Sequence, residues 1–336
     1  MDRTGRYFPD RYIDLHLHLD GAVTADTAKR LADMQGMILP AEGEALEKLL
    51  SVGEDCRDLN EFLECFELPL KLLQTAEALS ECAYLVAENM REQGVIYAEI
   101  RFAPQLHCEN GLSQRDAVEA VMEGLSRSEL KTGLILCCMR GEGIEEKNLE
   151  TASLAEEYLG KGVCALDLAG AEGLFPTADF AELFEKVRES GVPFTIHAGE
   201  ADGAESVRKA IEFGAARIGH GVRIYEDPEL VSVIAERGIP LEMCPTSNRL
   251  THAVEDMENY PFTEYLRRGI KVTINTDDPA IERTGIAAEF RYMERRFGLT
   301  AEQEIEVLLN AADAAFASDE VKEWMRAQLI RGVNEP

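Results

Sequence analysis

The chain lacks any apolar run approaching the roughly 18 residues that a membrane-spanning helix requires, which argues against a transmembrane protein. Its opening stretch, Met1 to Arg11, is polar and charged and has no apolar segment of the signal-peptide kind, so a cytoplasmic protein is expected. No C-x-x-C pair occurs among the eight cysteines, at 56, 65, 82, 108, 137, 138, 164 and 244. Several sit inside apolar runs, and in a chain of this size they read as reduced, buried thiols rather than a disulfide framework. Positive charge is scarce: 34 Lys and Arg against 63 Asp and Glu leave a net charge of −29. Such a field repels phosphate backbones and anionic membrane surfaces. Nucleic acid and membrane are therefore not expected as partners, and a small neutral molecule suits the surface better. Low-complexity tracts, sequence repeats and Pro/Gly/Ser linkers are also missing, so a single domain is expected over 1–336.

What is present is an order. Short apolar runs alternate with longer helical patterns, and 46% hydrophobic residues suffice for a large core. The runs are Ile13–Leu19, Val95–Arg101, Gly133–Met139, Val163–Ala169, Pro193–His197, Ala216–His220, Ile239–Cys244 and Lys271–Thr276. Helical patterns lie between them at Gln114–Lys131, Asn148–Leu159, Ala178–Glu189 and Pro228–Glu236. Strand–helix alternation implies parallel βαβ units, and eight of them suggest a closed (β/α)₈ barrel. An open doubly wound sheet is the alternative arrangement of the same units. The interval from Leu19 to Val95 is too long for one crossover and carries helical patterns at Thr24–Gln35, Asn60–Leu73 and Glu77–Glu92. It reads as one barrel helix plus a helical insertion, about 40–75, over the barrel mouth. From Ile286 the pattern is helical to about 332, packing around and beneath the barrel.

Side chains alternate faces along a strand. In the first run Ile13, Leu15, Leu17 and Leu19 share one face, and Asp14, His16, His18 and Asp20 share the other. An H-x-H pair alone also fits the polar face of an exposed strand. The other run ends add weight: His197 lies in His-Ala-Gly-Glu, His220 in Gly-His-Gly, and Asp277-Asp278 directly follows the last run. Four of the six histidines thus gather at or just past C-terminal strand ends, where barrel enzymes place their active sites. Imidazoles with a carboxylate suit zinc. Two other zinc signatures, H-E-x-x-H and P-C-x-x-C, are absent.

The strings DLHLHLDGA, EFLECF, VIYAEIRFAP, DLAGAE, TIHAGE, RIGHGV, CPTSN and INTDDP, in this order, resemble the adenosine deaminase family of metal-dependent amidohydrolases. The likeness runs from Ile13 to about Phe316. It implies a (β/α)₈ barrel with extra helices over its C-terminal mouth, one zinc ion and a purine nucleoside substrate. His16, His18, His197 and Asp277 correspond to the metal ligands. Glu200 corresponds to the acid that protonates purine N1, and His220 to the residue that orients the attacking hydroxide. Asp277 also serves in catalysis, and His18 lies against the substrate. Asp278 corresponds to the partner of purine N7, Gly170 to a backbone donor to N3, and Asp20 to a contact of the ribose 5′-hydroxyl. Leu59, Phe62 and Phe66 fall where a lid helix closes, although their spacing is also that of an ordinary core stripe. Val163–Ala169 holds no lysine, which favours one metal over two.

Ala171 stands where the family usually has Asp, and Arg249 and His252 occupy positions that vary. The expected reaction is hydrolytic deamination of adenosine or 2′-deoxyadenosine. Adenine or a modified adenosine such as aminodeoxyfutalosine is the alternative substrate, and a catalytically silent nucleoside-binding protein the alternative of another class. His107 and His252 have no expected role beyond surface or structure.

Overall fold

Each of the eight apolar runs forms a strand in the computed structural model, which describes residues 10–254 and 256–334. The remaining residues of the expected 1–336 domain, with most of the Met1–Arg11 stretch, lie outside the described residues. The strands are β1 Tyr12–His18, β2 Val95–Phe102, β3 Lys131–Met139, β4 Val163–Ala169, β5 Thr195–Ala198, β6 Arg217–His220, β7 Leu241–Met243 and β8 Val272–Ile274. They pair in parallel as two four-stranded arcs, β1-β2-β3-β4 and β5-β6-β7-β8. Two seams join the arcs. Leu166 on β4 bridges to Phe194 before β5, and the Leu166 amide donates to the Pro193 carbonyl at 3.0 Å. At the other seam Leu17 bridges to Asp277, just past β8. The His18 amide donates to the Asp277 carbonyl at 2.8 Å, and the Asp277 amide to the His16 carbonyl at 2.8 Å. An open sheet keeps two unpaired edges, whereas here the first strand meets the last. The doubly wound alternative is thereby excluded.

Helix starts are fixed by local chemistry. Thr24, Thr75, Ser113 and Thr300 each accept a backbone N–H with their side chain, ahead of Ala25–Gln35, Ala76–Glu92, Gln114–Ser126 and Ala301–Ala314. Two expected helices differ from the pattern. The helix expected over Gln114–Lys131, in the crossover from β2 to β3, stops at Ser126, because Lys131 and Thr132 are drawn into the ladder opposite Tyr97 and Ala98. The segment expected as one helix over Asn60–Leu73 is Leu59–Leu63, a 3-10 turn Glu64–Phe66, and Glu67–Leu72. Pro69 accounts for the break: its ring would clash with the carbonyl four residues earlier and it donates no N–H.

Ile13, Leu15 and Leu17 belong to the apolar layer under the surrounding helices. The inward face is charged. Arg101 on β2 pairs with Asp167 on β4 at 2.9 Å and with Glu242 on β7 at 2.8 Å. Arg217 on β6 pairs with Glu242 and with Glu99 on β2, each at 2.6 Å. All five side chains are buried. Buried charges persist only when paired and hydrogen-bonded, and this network links β2, β4, β6 and β7 across the barrel interior. Below it, Phe316 stacks on the Arg217 guanidinium, 3.8 Å from ring centre to carbon.

Over the mouth, Cys56, Leu59, Phe62 and Ile281 form a small apolar cluster apart from the main core. It is fastened by Val52 N–H to Ile281 O at 3.1 Å, by the Arg249–Glu54 ion pair, and by the His252 ring donating to Cys56 O at 2.7 Å. Among the described residues no helix is long and apolar enough to cross a membrane. All eight cysteines are free thiols.

Candidate active site

The alternation in β1 turns His16 and His18 toward the barrel axis. β5 ends by presenting His197, β6 by presenting His220, and the chain beyond β8 by presenting Asp277. Two of these residues hold backbone conformations that side-chain-bearing residues seldom adopt: His220 at φ 57° and Asp277 at φ 60°. Such strain survives only where surrounding bonds hold it, and for Asp277 the two seam bonds to β1 do so. Gly219 makes the crowding possible, because a Cβ there would stand 3.1 Å from His197 Cα and 3.2 Å from His16 Cε1.

His16, His18, His197 and Asp277 offer ligand atoms that all lie within 4.8 Å of one another. Asp277 Oδ1 is 3.2 Å from His16 Nε2 and 3.4 Å from His18 Nε2, and the Nε2 atoms of His18 and His197 are 3.2 Å apart. The outer ring nitrogens are engaged. His16 Nδ1 donates to Glu242 at 2.8 Å, and His197 Nδ1 to Asp167 at 2.9 Å. These carboxylates fix both tautomers so that Nε2 lone pairs face the cluster. His16 Nε2 is buried without a hydrogen-bond partner. Burial and Arg101 oppose charge on His16, yet Asp277 and Glu242 together lift it to about 9. The cavity therefore calls for positive charge at the point where the four residues converge. Three imidazoles and a carboxylate with oriented outer nitrogens fit a divalent ion of the zinc type. A second grouping, His16, His220, Cys244 and Asp277, fits less well. Burial pushes the Cys244 thiol up, away from the thiolate a metal needs, and the thiol donates to Glu242 O.

Beside the cluster, His220 Nε2 lies 3.5 Å from Glu200 Oε2 and 3.7 Å from Asp277 Oδ2. The Tyr260 hydroxyl donates to Asn248 Oδ1 at 2.9 Å, and Asn248 Nδ2 donates to His220 Nδ1 at 2.9 Å. His220 Nδ1 is thus an acceptor, and Nε2 carries the ring proton into the cavity. Burial drives His220 well below the ordinary histidine value, so the ring is neutral. Glu200 is pushed up to about 8 by burial, then by the charges of Asp277 and Glu172. Burial works against the Asp277 carboxylate as well, but His16 outweighs it and holds Asp277 well below the usual carboxylate range. Asp278 is pushed well above that range by burial, then by Asp277 and Asp20.

The cavity over the cluster is walled by Gly170, Glu200, His220 and Asp278, and roofed by Leu59, Phe62 and Phe66. Asp20 is not part of its wall. It is buried, and its Oδ1 has no hydrogen-bond partner. With the roof closed only about 40 Å³ remains free, room for an ion and a water but not for a purine. A roomier hollow of about 720 Å³ lies elsewhere, along Glu142, Asn148, Phe175 and Lys186, but none of the metal-type clusters lies there. The chemistry assigns the site to the smaller cavity.

Sequence reasoning missed the residues behind the site: Arg101, Asp167, Glu242, Asn248 and Glu172. For the strand residues a signal existed. Charged residues at the inward parity of apolar strands have no solvent to face and must be paired inside. Asn248 and Glu172 lie on loop and helix segments, where parity says nothing.

The adenosine deaminase family model matches residues 12–332. An adenosine deaminase of Haemophilus ducreyi is 47% identical over 326 residues, covering 94% of this chain and 95% of that one. The crystal structure of an adenine deaminase from Arthrobacter aurescens superposes with a TM-score of 0.87 at 28% identity, covering 98% and 100% of the two chains. An amidohydrolase of Burkholderia ambifaria with bound zinc superposes at 0.82 with 25% identity, covering 98% and 94%.

Proposed function

The chain belongs to the adenosine deaminase family, and on that premise we propose that it hydrolyses adenosine and 2′-deoxyadenosine to the inosines and ammonia with one zinc ion. It is a hydrolytic deaminase acting on a C–N bond. The observation that carries the finer reading is the meeting of a four-residue ligand cluster with a buried, raised-pKa acid, Glu200, across one small cavity.

His16, His18, His197 and Asp277 would hold the ion, which when bound supplies Lewis acidity and water of roughly neutral pKa. The chain's own residues do the rest. His220 Nε2, kept as a donor by Asn248 and Tyr260, holds the attacking water by hydrogen bonding, and Asp277 Oδ2 is the nearby acceptor for its proton. This makes His220 an orienting donor and not the base. Glu200 keeps its proton near neutral pH and delivers it to N1 of the purine, so that C6 becomes tetrahedral without an isolated ring charge. The proton Asp277 took from the water then passes to the 6-amino group, which leaves as ammonia as the C6 hydroxyl loses its proton to Glu200. Asp278 grips N7 and the Gly170 amide faces N3; Asp20, outside the wall of the closed cavity but with an unpartnered Oδ1, meets the ribose 5′-hydroxyl once the roof has opened. Leu59, Phe62 and Phe66 exclude water once the purine is in, and must swing aside to admit it, given the space left under them. The enzyme works as a single barrel domain in the cytoplasm on a free small molecule, a setting its eight free thiols suit.

Adenine is the second reading, favoured by the likeness to the Arthrobacter aurescens adenine deaminase. Ammonia release from adenosine, 2′-deoxyadenosine, adenine and aminodeoxyfutalosine, compared as kcat/KM, decides. A clear lead for the two nucleosides supports the proposal. A lead for adenine or the modified nucleoside keeps the zinc chemistry but removes the substrate, and no release from any of the four overturns the reading.

A further inference from the structure

Glu172 ends the DLAGAE string and is neither one of the clustered ligand residues nor part of the cavity lining, yet its carboxylate accepts five hydrogen bonds. It is 1% exposed. Its Oε1 accepts from the Gly199 amide at 2.8 Å and the Ser206 hydroxyl at 2.5 Å. Its Oε2 accepts from the amides of Glu200 at 3.0 Å, Ala201 at 2.8 Å and Asp202 at 2.9 Å. Four consecutive backbone N–H groups thus converge on one anion, in the turn between β5 and the helix Ala204–Phe213. The turn opens with Gly199 at φ 73°, the left-handed residue that curls successive amides to one side. None of these four amides belongs to a helix or a sheet ladder, and buried amides need an acceptor. Glu172 supplies it from the neighbouring strand–helix loop.

The arrangement reaches further on both sides. Ser206 Oγ lies 2.7 Å from Thr177 Oγ1, and the Arg140 guanidinium donates to Thr177 Oγ1 at 2.9 Å and to the His197 carbonyl at 2.6 Å. The turn is therefore held at its start by Arg140 and along its length by Glu172. Glu200 sits second among the four gripped residues, and its own amide is one of those gripped.

We infer that Glu172 is the positioning residue for Glu200: its carboxylate gathers the 199–202 amides and so aims the Glu200 carboxyl at the substrate ring. This rests on the proton-donor role proposed for Glu200. Charge-assisted hydrogen bonds of this kind are short and directional, and an acid that drifts by about 1 Å loses its near-attack geometry at a cost of up to about 100-fold. Glutamine at 172 keeps the shape but replaces one acceptor oxygen by an NH₂ that faces amide N–H groups.

The test is a double-mutant cycle in the zinc-loaded full chain, with Glu172→Gln and Glu200→Gln alone and together. We expect Glu172→Gln to lower kcat by about 10- to 100-fold, with KM and zinc content little changed. In the Glu200→Gln background it should cost almost nothing more, because the group it aims is already gone. Amide hydrogen exchange at 199–202 should quicken in Glu172→Gln. Ser206→Ala, which removes one donor from Oε1, should show a smaller loss with the same non-additivity, and covers the case in which Glu172→Gln fails to fold. Equal fold-losses in both backgrounds, a loss confined to KM, or unchanged exchange at 199–202 would overturn the assignment. If the wild-type chain releases no ammonia from any of the four purines, the functional reading falls. The exchange rates at 199–202 then decide by themselves whether Glu172 holds the turn.

Discussion

Arg101 and Glu242 meet 2.8 Å apart at the centre of the barrel, and neither side chain reaches solvent. Glu242 also accepts from His16 Nδ1, and Arg101 also binds the Asp167 that accepts from His197 Nδ1. One guanidinium therefore stabilises both carboxylates that aim the histidines. Neutralising Glu242 should disturb stability and metal binding together. Glu242→Gln leaves Arg101 and Arg217 each short of a buried partner, a defect of about 3–5 kcal/mol. Losing the outer partner of a ligand histidine lowers metal affinity about 10- to 100-fold. Denaturant unfolding and chelator competition for zinc measure the two effects. Unchanged zinc affinity would show that the carboxylate serves the fold alone.

Glu200→Gln should keep its zinc and lose most of its turnover, because the amide offers no acidic proton at the ring. General acid catalysis contributes about 10²- to 10⁴-fold, and a loss of that order in kcat is expected. Metal analysis beside ammonia release separates this from a damaged metal site. Near-normal turnover would remove the proposed role.

Gly21 has no room for a side chain, since a Cβ there would overlap the Asp278 carboxylate. Gly21→Ala should therefore imitate Asp278→Asn. Both should raise KM for adenosine by about 10-fold or more, the scale of one lost hydrogen bond to a charged or polar ring partner. Zinc content should be intact in both. A Gly21→Ala enzyme with an ordinary KM would mean that Asp278 does not grip the ring.

His107 does not line the cavity and stands in a place that does not tolerate charge. Its Nδ1 donates to Leu73 O at 2.9 Å, its Nε2 has no partner, and burial lowers it to about 4. The unfolded chain takes up this proton near the ordinary value of about 6.5. The folded value is the lower one, so the stability His107 confers is fully present above pH 6.5 and is lost as pH falls through about 4. Between pH 7 and 4.5, wild type should lose about 2 kcal/mol relative to His107→Gln. Parallel urea titrations of the two proteins check this, and pH-independent spacing between them would refute it.

The eight strands were legible because each is an apolar run with a fixed parity. The clustering of His16, His18, His197 and Asp277 was legible because their polar atoms stand where those runs end. β7 and β8 are shorter than their runs at both ends, although the Asn275 amide still bonds across to the Met243 carbonyl. The single helix expected over Asn60–Leu73 is broken near Pro69, a residue already visible in the sequence. The charged centre was harder to read. Arg101 finds its partners 66 and 141 residues away, and only a closed barrel brings them together. His252 shows the same dependence on three dimensions: its use as a fastener follows from Cys56 lying 196 residues earlier.

The seam between β1 and Asp277 has a mechanical consequence. Two of the four candidate ligand residues, His16 and His18, lie on the first arc of strands; His197 lies on the second, and Asp277 just past its last strand. Neither arc alone carries a complete set. An ion gripped by all four is then a rivet through the joint where the ends of the sheet meet. Withdrawing it would slacken that joint first, long before the packed helices outside registered the loss.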